Sequence, residues 1–208
     1  LIRRQRQMCI RDRYTPGSLS HTLEYAYTDW CLGQLMSSLG KKKEAAEYEK
    51  RAKAYRNVWC DSVQWFRARV KGGGWLPWRG RTAQDQGTTE SNPFQQGWFV
   101  PHDIDGMKAL MGGQKKFDAE LEEFFANVPE DFLWNDYYNH PNEPNHHVPF
   151  LFNYSSCPWL TQKWTRKICD KAYGDDVLGL CGNEDVGQMS AWYVSVSYTH
   201  LDAADELD

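Results

Sequence analysis

The sequence predicts an all-α protein, a toroid of αα-hairpins that carries long functional loops. Three observations predict it. Apolar residues recur at three-to-four spacing in several segments of similar length. Glycines stand where those segments should stop. The stretches between them are long, aromatic and acid-bearing. No self-similarity at a period of about 34 or 40 residues runs through the chain, so a solenoid of equal repeats is not expected.

The first helix is read over residues 21–39, "HTLEYAYTDWCLGQLMSSL", with Leu23, Tyr27, Trp30, Leu35 and Leu39 near one face and Gly40 as its stop. "KKKEAAEYEKRAKAYRNVW" follows at once, with Ala45, Tyr48, Ala52, Tyr55 and Trp59 on one stripe. Two such helices across a tight glycine turn make an αα-hairpin. After an irregular segment, residues 72–101, "HDIDGMKALMGGQKKFDAELEEFFA" reads as a short helix, a Gly-Gly turn and a second helix. "YYNHPNEPNHHVPF", residues 137–150, holds three histidines, one carboxylate, three asparagines and three prolines. Proline fixes φ and removes a donor, so this is neither regular helix nor central strand but a rigid polar loop. "CPWLTQKWTRKICDKAYG" is the next helix, stopped by Gly174; "LGLCGNEDVG" is turn-rich, and "QMSAWYVS" opens a further hairpin.

Composition narrows the function classes. A length of 208 residues suits one domain or most of one, with a substantial core. The net charge of −4 argues against a nucleic-acid partner, which wants a basic face. No apolar run approaches the ~20 residues that span a bilayer. Six cysteines, Cys9, Cys31, Cys60, Cys157, Cys169 and Cys181, form no CxxC pair and read as buried or incidental thiols. Ten tryptophans, eleven tyrosines and nine phenylalanines are unusual, and Trp75, Trp78, Trp98, Trp134 and Trp159 sit in Gly/Pro/Asn-rich segments. Rings on loops suit sugar faces; large core fillers are the other reading.

The two ends do not match the middle. "LIRRQRQMCIRDR" carries five arginines and one aspartate, and "LDAADELD" carries four acids and no base. A secretory signal would need an apolar stretch that the first segment lacks. Both ends resemble translated sequencing-adapter read-through of the kind found in metagenomic assemblies. Residues 1–13 and 195–208 are therefore expected to be artefactual or disordered ends, and residues 14–194 an internal fragment of a longer protein.

Each long loop offers carboxylates: Glu90, with Asp103 and Asp105 downstream; Glu143; and Glu184 with Asp185. Two carboxylates on opposing loops are what glycoside hydrolysis requires, one to protonate the leaving oxygen and one to activate water or attack the sugar. Acids before helices are also ordinary caps, and from spacing alone capping is the better account of any single one of Asp103, Glu184 and Asp185. The histidines invite a zinc reading, but His146 and His147 are adjacent, HExxH spacing is absent and no cysteine lies nearby. Asn142 and Glu143, hard oxygen donors on a proline-braced loop, suit calcium better. His140, His146 and His147 then hydrogen-bond sugar hydroxyls or the loop's own carbonyls.

Together "TLEYAYTDWCLGQL", "GWFVPHDIDGMKALMGG", "NEPNHHVPFLFNYSSCPW" and "GNEDVGQMSAWYV" resemble the catalytic domain of glycoside hydrolase family ninety-two, over residues 14–194. The resemblance implies part of an (α/α)6 barrel, without the β-sandwich domain that precedes it in the family. It implies an inverting, calcium-dependent, exo-acting α-mannosidase of N-glycans or mannans, for example at α-1,2 linkages. Its place would be secreted, periplasmic or at the cell surface of a bacterium. By resemblance Glu90 is the general acid and Asp185 the general base, with Asn183 beside the base. Asn142 and Glu143 lie in the calcium loop, and His140, His146 and Trp98 contact the sugar. The chain departs from the family at Asn183, where many members have an acid, and at Thr28, where many have aspartate. An isolated fragment would be inactive. Two other classes fit the same residues: a non-catalytic carbohydrate-binding or scaffold helical domain, and an (α/α)6 glycosidase of other sugar specificity.

Overall fold

The computed structural model describes residues 13–205, of which α-helix is the dominant element. Of the expected ends, residues 1–13 and 195–208, positions 1–12 and 206–208 lie outside the described residues, while 195–205 belong to the last helix. The chain divides into two compact units, Leu1–Lys116 and Phe117–Asp208. Among the described residues no helix is long and apolar enough to cross a membrane.

In the first unit α1 spans Leu19–Ser38 and α2 spans Lys42–Ala52. Ser18 caps α1, its hydroxyl accepting from the His21 amide at 3.2 Å. Gly40, at φ 72°, makes the turn between the helices. The buried face of α1 is Leu19, Ser20, Thr22, Leu23, Ala26, Asp29 and Gly33. The apolar stripe read from sequence fails at its end, since Leu35 and Leu39 are 50% and 58% exposed. Small residues set the true face. Gly33 brings α1 close to α2, where a β-carbon would stand 3.5 Å from that of Tyr48. Arg51 then clasps Asp29 across the hairpin through two bonds, 2.9 and 2.7 Å.

The predicted second helix does not run on to Trp59. It tightens into a 3₁₀ turn, Lys53–Val58, and enters a strand pair, β1 (Trp59–Cys60) against β2 (Trp65–Phe66), antiparallel with Trp59 opposite Phe66. Such two-residue strands leave no alternation to detect in the sequence. Their rings join Tyr55, Phe94 and Trp98 in an aromatic core. The long irregular segment is held by buried Gln86. Its amide oxygen accepts from the Arg79 backbone at 2.8 Å, and its nitrogen donates to the Gly80 and Ala83 carbonyls. A short helix α3, Pro93–Gln96, begins with a capping box between Asn92 and Gln95. Helix α4, Ile104–Met111, is capped by Asp103 and ended by Gly112 at φ 96°.

Helix α5, Gln114–Ala126, buries Phe117, Leu121, Phe124 and Phe125, the last two inside the second unit's aromatic core. There Tyr138 stacks on Phe125 at 4.7 Å, with Phe132 and Phe152 adjoining. The polar loop forms two 3₁₀ turns, Glu143–Asn145 and Val148–Tyr154, both with proline at the start. Helix α6, Trp159–Lys171, lies against the second turn through Thr161, which donates to the Pro149 carbonyl at 3.0 Å. Helix α7 spans Gln188–Asp205.

Candidate active site

Each unit carries one of the two carboxylates singled out by sequence. Glu90, in the first, is exposed, and its backbone is left-handed at φ 53°. That conformation is uncommon for a residue other than glycine, and Gln64, Asp85 and Phe132 also adopt it. The residues that follow, Ser91 and Asn92, are buried. Thr89 is anchored to α1, its amide donating to Ser20 Oγ at 2.9 Å.

The other first-unit residues have structural roles. Trp98, expected to face sugar, is fully buried, edge-on to Trp65 at 5.3 Å and tilted on Phe94 at 6.4 Å. It is a core ring, not an exposed stacking surface. Asp103 is a cap, as the capping account foresaw: Oδ1 accepts from the Gly106 amide at 2.9 Å, and Oδ2 from Tyr55 at 2.6 Å and Arg56 at 3.3 Å. Burial pushes the Asp103 carboxyl up, but these donors outweigh it and hold it below its ordinary value.

In the second unit the two histidines are interior. His140 is 0% exposed and His146 4%. Tyr173 donates to the Met189 carbonyl at 3.0 Å, so its oxygen accepts from His140 Nε2–H at 2.8 Å. That fixes His140 Nδ1 as the acceptor for the Tyr138 hydroxyl at 2.7 Å. The chain of donors runs one way, Tyr138 to His140 to Tyr173 to Met189. Burial first, then neighbouring His146, pushes the His140 pKa down to about 2. His146 donates from Nε2 to the His140 carbonyl at 2.9 Å, and Nδ1 faces the Gln188 amide at 3.4 Å. Burial lowers its pKa too. Both nitrogens of each ring are therefore engaged within the protein. Of the two readings open from sequence, bonding to the loop's own carbonyl is the one His146 follows.

These contacts join the "NEPNHH" loop to the start of α7. Trp192 donates to the His146 carbonyl at 3.0 Å, and its ring packs edge-on against His140 at 4.6 Å. Gly182 lies so close to Pro141 that a β-carbon would stand 2.8 Å from its Cα and Cβ. None of Tyr138, Tyr173, Gln188 or Trp192 was identified from sequence. An aromatic or amide side chain that supports a loop from another element has no local spacing signal.

Glu184 and Asp185, neighbours in sequence, divide the work. Glu184 receives the Ser190 amide at 2.9 Å and hydroxyl at 2.6 Å, bonds that hold its pKa below the ordinary carboxylate value. Asp185 is exposed. It begins a run of positive φ: Asp185 45°, Val186 60°, Gly187 82°. Asn183 beside it is exposed.

Among the described residues, no three His, Cys, Asp or Glu side chains gather where they could hold a metal ion. The donors of the polar loop are of another kind. Asn142 is buried and Glu143 partly so. Close to them in sequence, Asn139 Oδ1 and both amide atoms of Asn145 are buried without a hydrogen-bond partner. Leaving such an atom unsatisfied costs about 1–3 kcal/mol, so a bound partner would offset a cost at these three atoms. One carboxylate and several amide oxygens form a hard donor set, suited to calcium and not to zinc.

The sequence profile of the glycosyl hydrolase family 92 catalytic domain matches residues 3–198. The chain belongs to glycosyl hydrolase family 92. It resembles a family GH92 α-mannosidase from Bacteroides thetaiotaomicron, 38% identical, with a TM-score of 0.80 over 87% of this chain and 25% of that one. It also resembles a family GH92 inverting mannosidase from Bacteroides thetaiotaomicron VPI-5482, 31% identical, with a TM-score of 0.77 over 89% of this chain and 28% of that one. A secreted glycosidase of Arthroderma benhamiae, itself uncharacterised, is 29% identical over 86% of this chain and 25% of its own length. The chain thus spans about a quarter of the length of these relatives. The expected fold, part of the (α/α)6 catalytic domain, is that of the family structures it matches.

Proposed function

We propose that the complete protein is an exo-acting α-mannosidase that removes terminal α-mannose from N-glycans or mannans, for example at α-1,2 linkages, with inversion and with calcium. The observation that carries this is the backbone of the two carboxylates. Glu90 and Asp185 are both held in the left-handed region, in a chain whose family is glycosidic. Strain of this kind collects at working sites. Its similarity to mannosidases, one of them inverting, supports the substrate and the stereochemistry.

In this mechanism the Glu90 carboxyl gives its proton to the glycosidic oxygen as the bond from that oxygen to C1 breaks. Asp185 takes a proton from the water that attacks C1 on the opposite face, and β-mannose leaves. Inverting glycosidases in general hold their two carboxyls ~6.5–9.5 Å apart to admit such a water. Asn142, Glu143 and the buried amides of Asn139 and Asn145 would hold the cation. When bound, calcium would supply a positive charge at the sugar hydroxyls. The relative's secretion supports a secreted, periplasmic or cell-surface location for this protein.

The test is Glu90→Gln and Asp185→Asn in the protein expressed from its complete gene. Each should lower kcat by about 10²–10⁴ with an unchanged circular-dichroism spectrum. Chelation should abolish turnover and calcium restore it, and NMR should find the β-anomer first. Undiminished turnover in either variant would sink the assignment.

A further inference from the structure

We propose that Ser20, Glu24 and Gln96 are positioning residues that hold the turn carrying Glu90, so that helix α1 sets the aim of the proton donor. This rests on the reading of Glu90 as the acid. The turn is tied on both sides of Glu90. Before it, the Thr89 amide donates to Ser20 Oγ at 2.9 Å across 69 positions of sequence. After it, Ser91 Oγ donates to Gln96 Oε1 at 3.2 Å, and the Thr88 hydroxyl reaches over to the Ser91 carbonyl. Ser20 closes the circuit by donating its own proton to Gln96 Oε1 at 2.8 Å. One amide oxygen therefore joins α1 to the residue after the acid, while the Ser20 hydroxyl holds the residue before it.

Ser20, Ser91 and Gln96 are 1%, 2% and 1% exposed, so water does not compete for these bonds. The amide nitrogen of Gln96 points at Glu24 Oε1, 3.5 Å away. Glu24 stands one turn after Ser20 on α1, on the same face. Burial raises its pKa, and the charge of His21 and the Gln96 amide oppose that rise. A network buried this deeply on both sides of Glu90 restrains the backbone that carries the carboxylate.

A general acid acts only within hydrogen-bond reach of the leaving oxygen, and a misplacement of ~1 Å can remove about a hundredfold. Such a loss falls on substrates that need protonation. We would measure kcat/KM for Ser20→Ala and Gln96→Met, made in the protein expressed from its complete gene, on an alkyl α-mannoside and on dinitrophenyl α-mannoside, whose leaving group departs unprotonated. The expected loss is at least about tenfold larger on the alkyl substrate, and Ser20→Thr, which keeps the hydroxyl, should recover most of it. Equal losses on both substrates, or none on either, would overturn the positioning role. If Gln96→Met does not fold, Ser20→Ala, which removes one oxygen, decides alone. Glu90→Gln separates the two ideas. If it shows the same leaving-group dependence and Ser20→Ala does not, only the positioning role falls. If Glu90→Gln itself loses equally on both substrates, the acid assignment falls and takes this proposal with it.

Discussion

His140 shows how a residue that looks chemical can act by staying neutral. Its ring accepts from one tyrosine and donates to another, and burial holds its folded pKa at about 2 against about 6.5 for a free histidine. Above the unfolded value neither state binds the proton and the contribution is complete. As pH falls below that value the unfolded chain takes up a proton that the folded chain refuses, so stability is lost progressively towards the folded value. His146 is lowered in the same direction and adds to the slope. Each histidine should remove up to ~1.4 kcal/mol per pH unit. Urea midpoints taken from about pH 7 to 5 should therefore fall more steeply in the native protein than in His140→Gln. Parallel slopes would show that the ring accepts a proton within the fold. The same residue-scale logic separates Glu184 from Asp185: the first is tied to Ser190, while the second is exposed in left-handed backbone.

At the scale of elements, the contact between the "NEPNHH" loop and the "GNED" turn is steric as well as polar. Gly182 touches Pro141 so closely that Gly182→Ala must move one loop off the other. Overpacking of this sort costs about 1–3 kcal/mol. We expect a lower melting temperature together with a loss of kcat, because Asp185 lies three residues on. An alanine variant with native stability and rate would mean the loops yield freely. Helix-scale features were legible in the sequence because they repeat: the α1–α2 hairpin, the Gly-Gly turn between α4 and α5, and α6 all fall close to where apolar spacing and glycine stops put them. The carboxylates were legible as residue types, and the family resemblance singled out two of them. What supports them was not. The Tyr138–His140–Tyr173 relay and the Ser20–Gln96 bond join residues 33 and 76 positions apart, and no local pattern records such a pairing. The exposed end of α1 was misread for a related reason. Leu35 and Leu39 extend a stripe that looks continuous, while the helix chooses its packing face by the close approach at Gly33.

For the molecule as a whole, the exposed apolar side chains set an expectation of their own. Leu35, Leu39, Trp134, Tyr154 and Trp159 are each about half exposed or more, between 50% and 61%. Scattered singly such residues need no explanation, but large rings at this exposure favour contacts with further protein. The relatives that share this fold are about four times as long as the region matched. We therefore expect the 208-residue chain, expressed by itself, to bind a hydrophobic dye, to associate at micromolar concentration and to release no mannose. The proposed acid and base, Glu90 and Asp185, would both be present, but Glu90 is exposed in this chain and no closed sugar pocket surrounds it among the described residues. The protein expressed from its complete gene should lose the dye signal and gain turnover. Sedimentation, dye fluorescence and a mannoside assay on the two proteins, side by side, decide the matter. A monomeric 208-residue chain with a cooperative melt and full mannosidase activity would show that these apolar faces need no covering and that the described residues suffice for the chemistry.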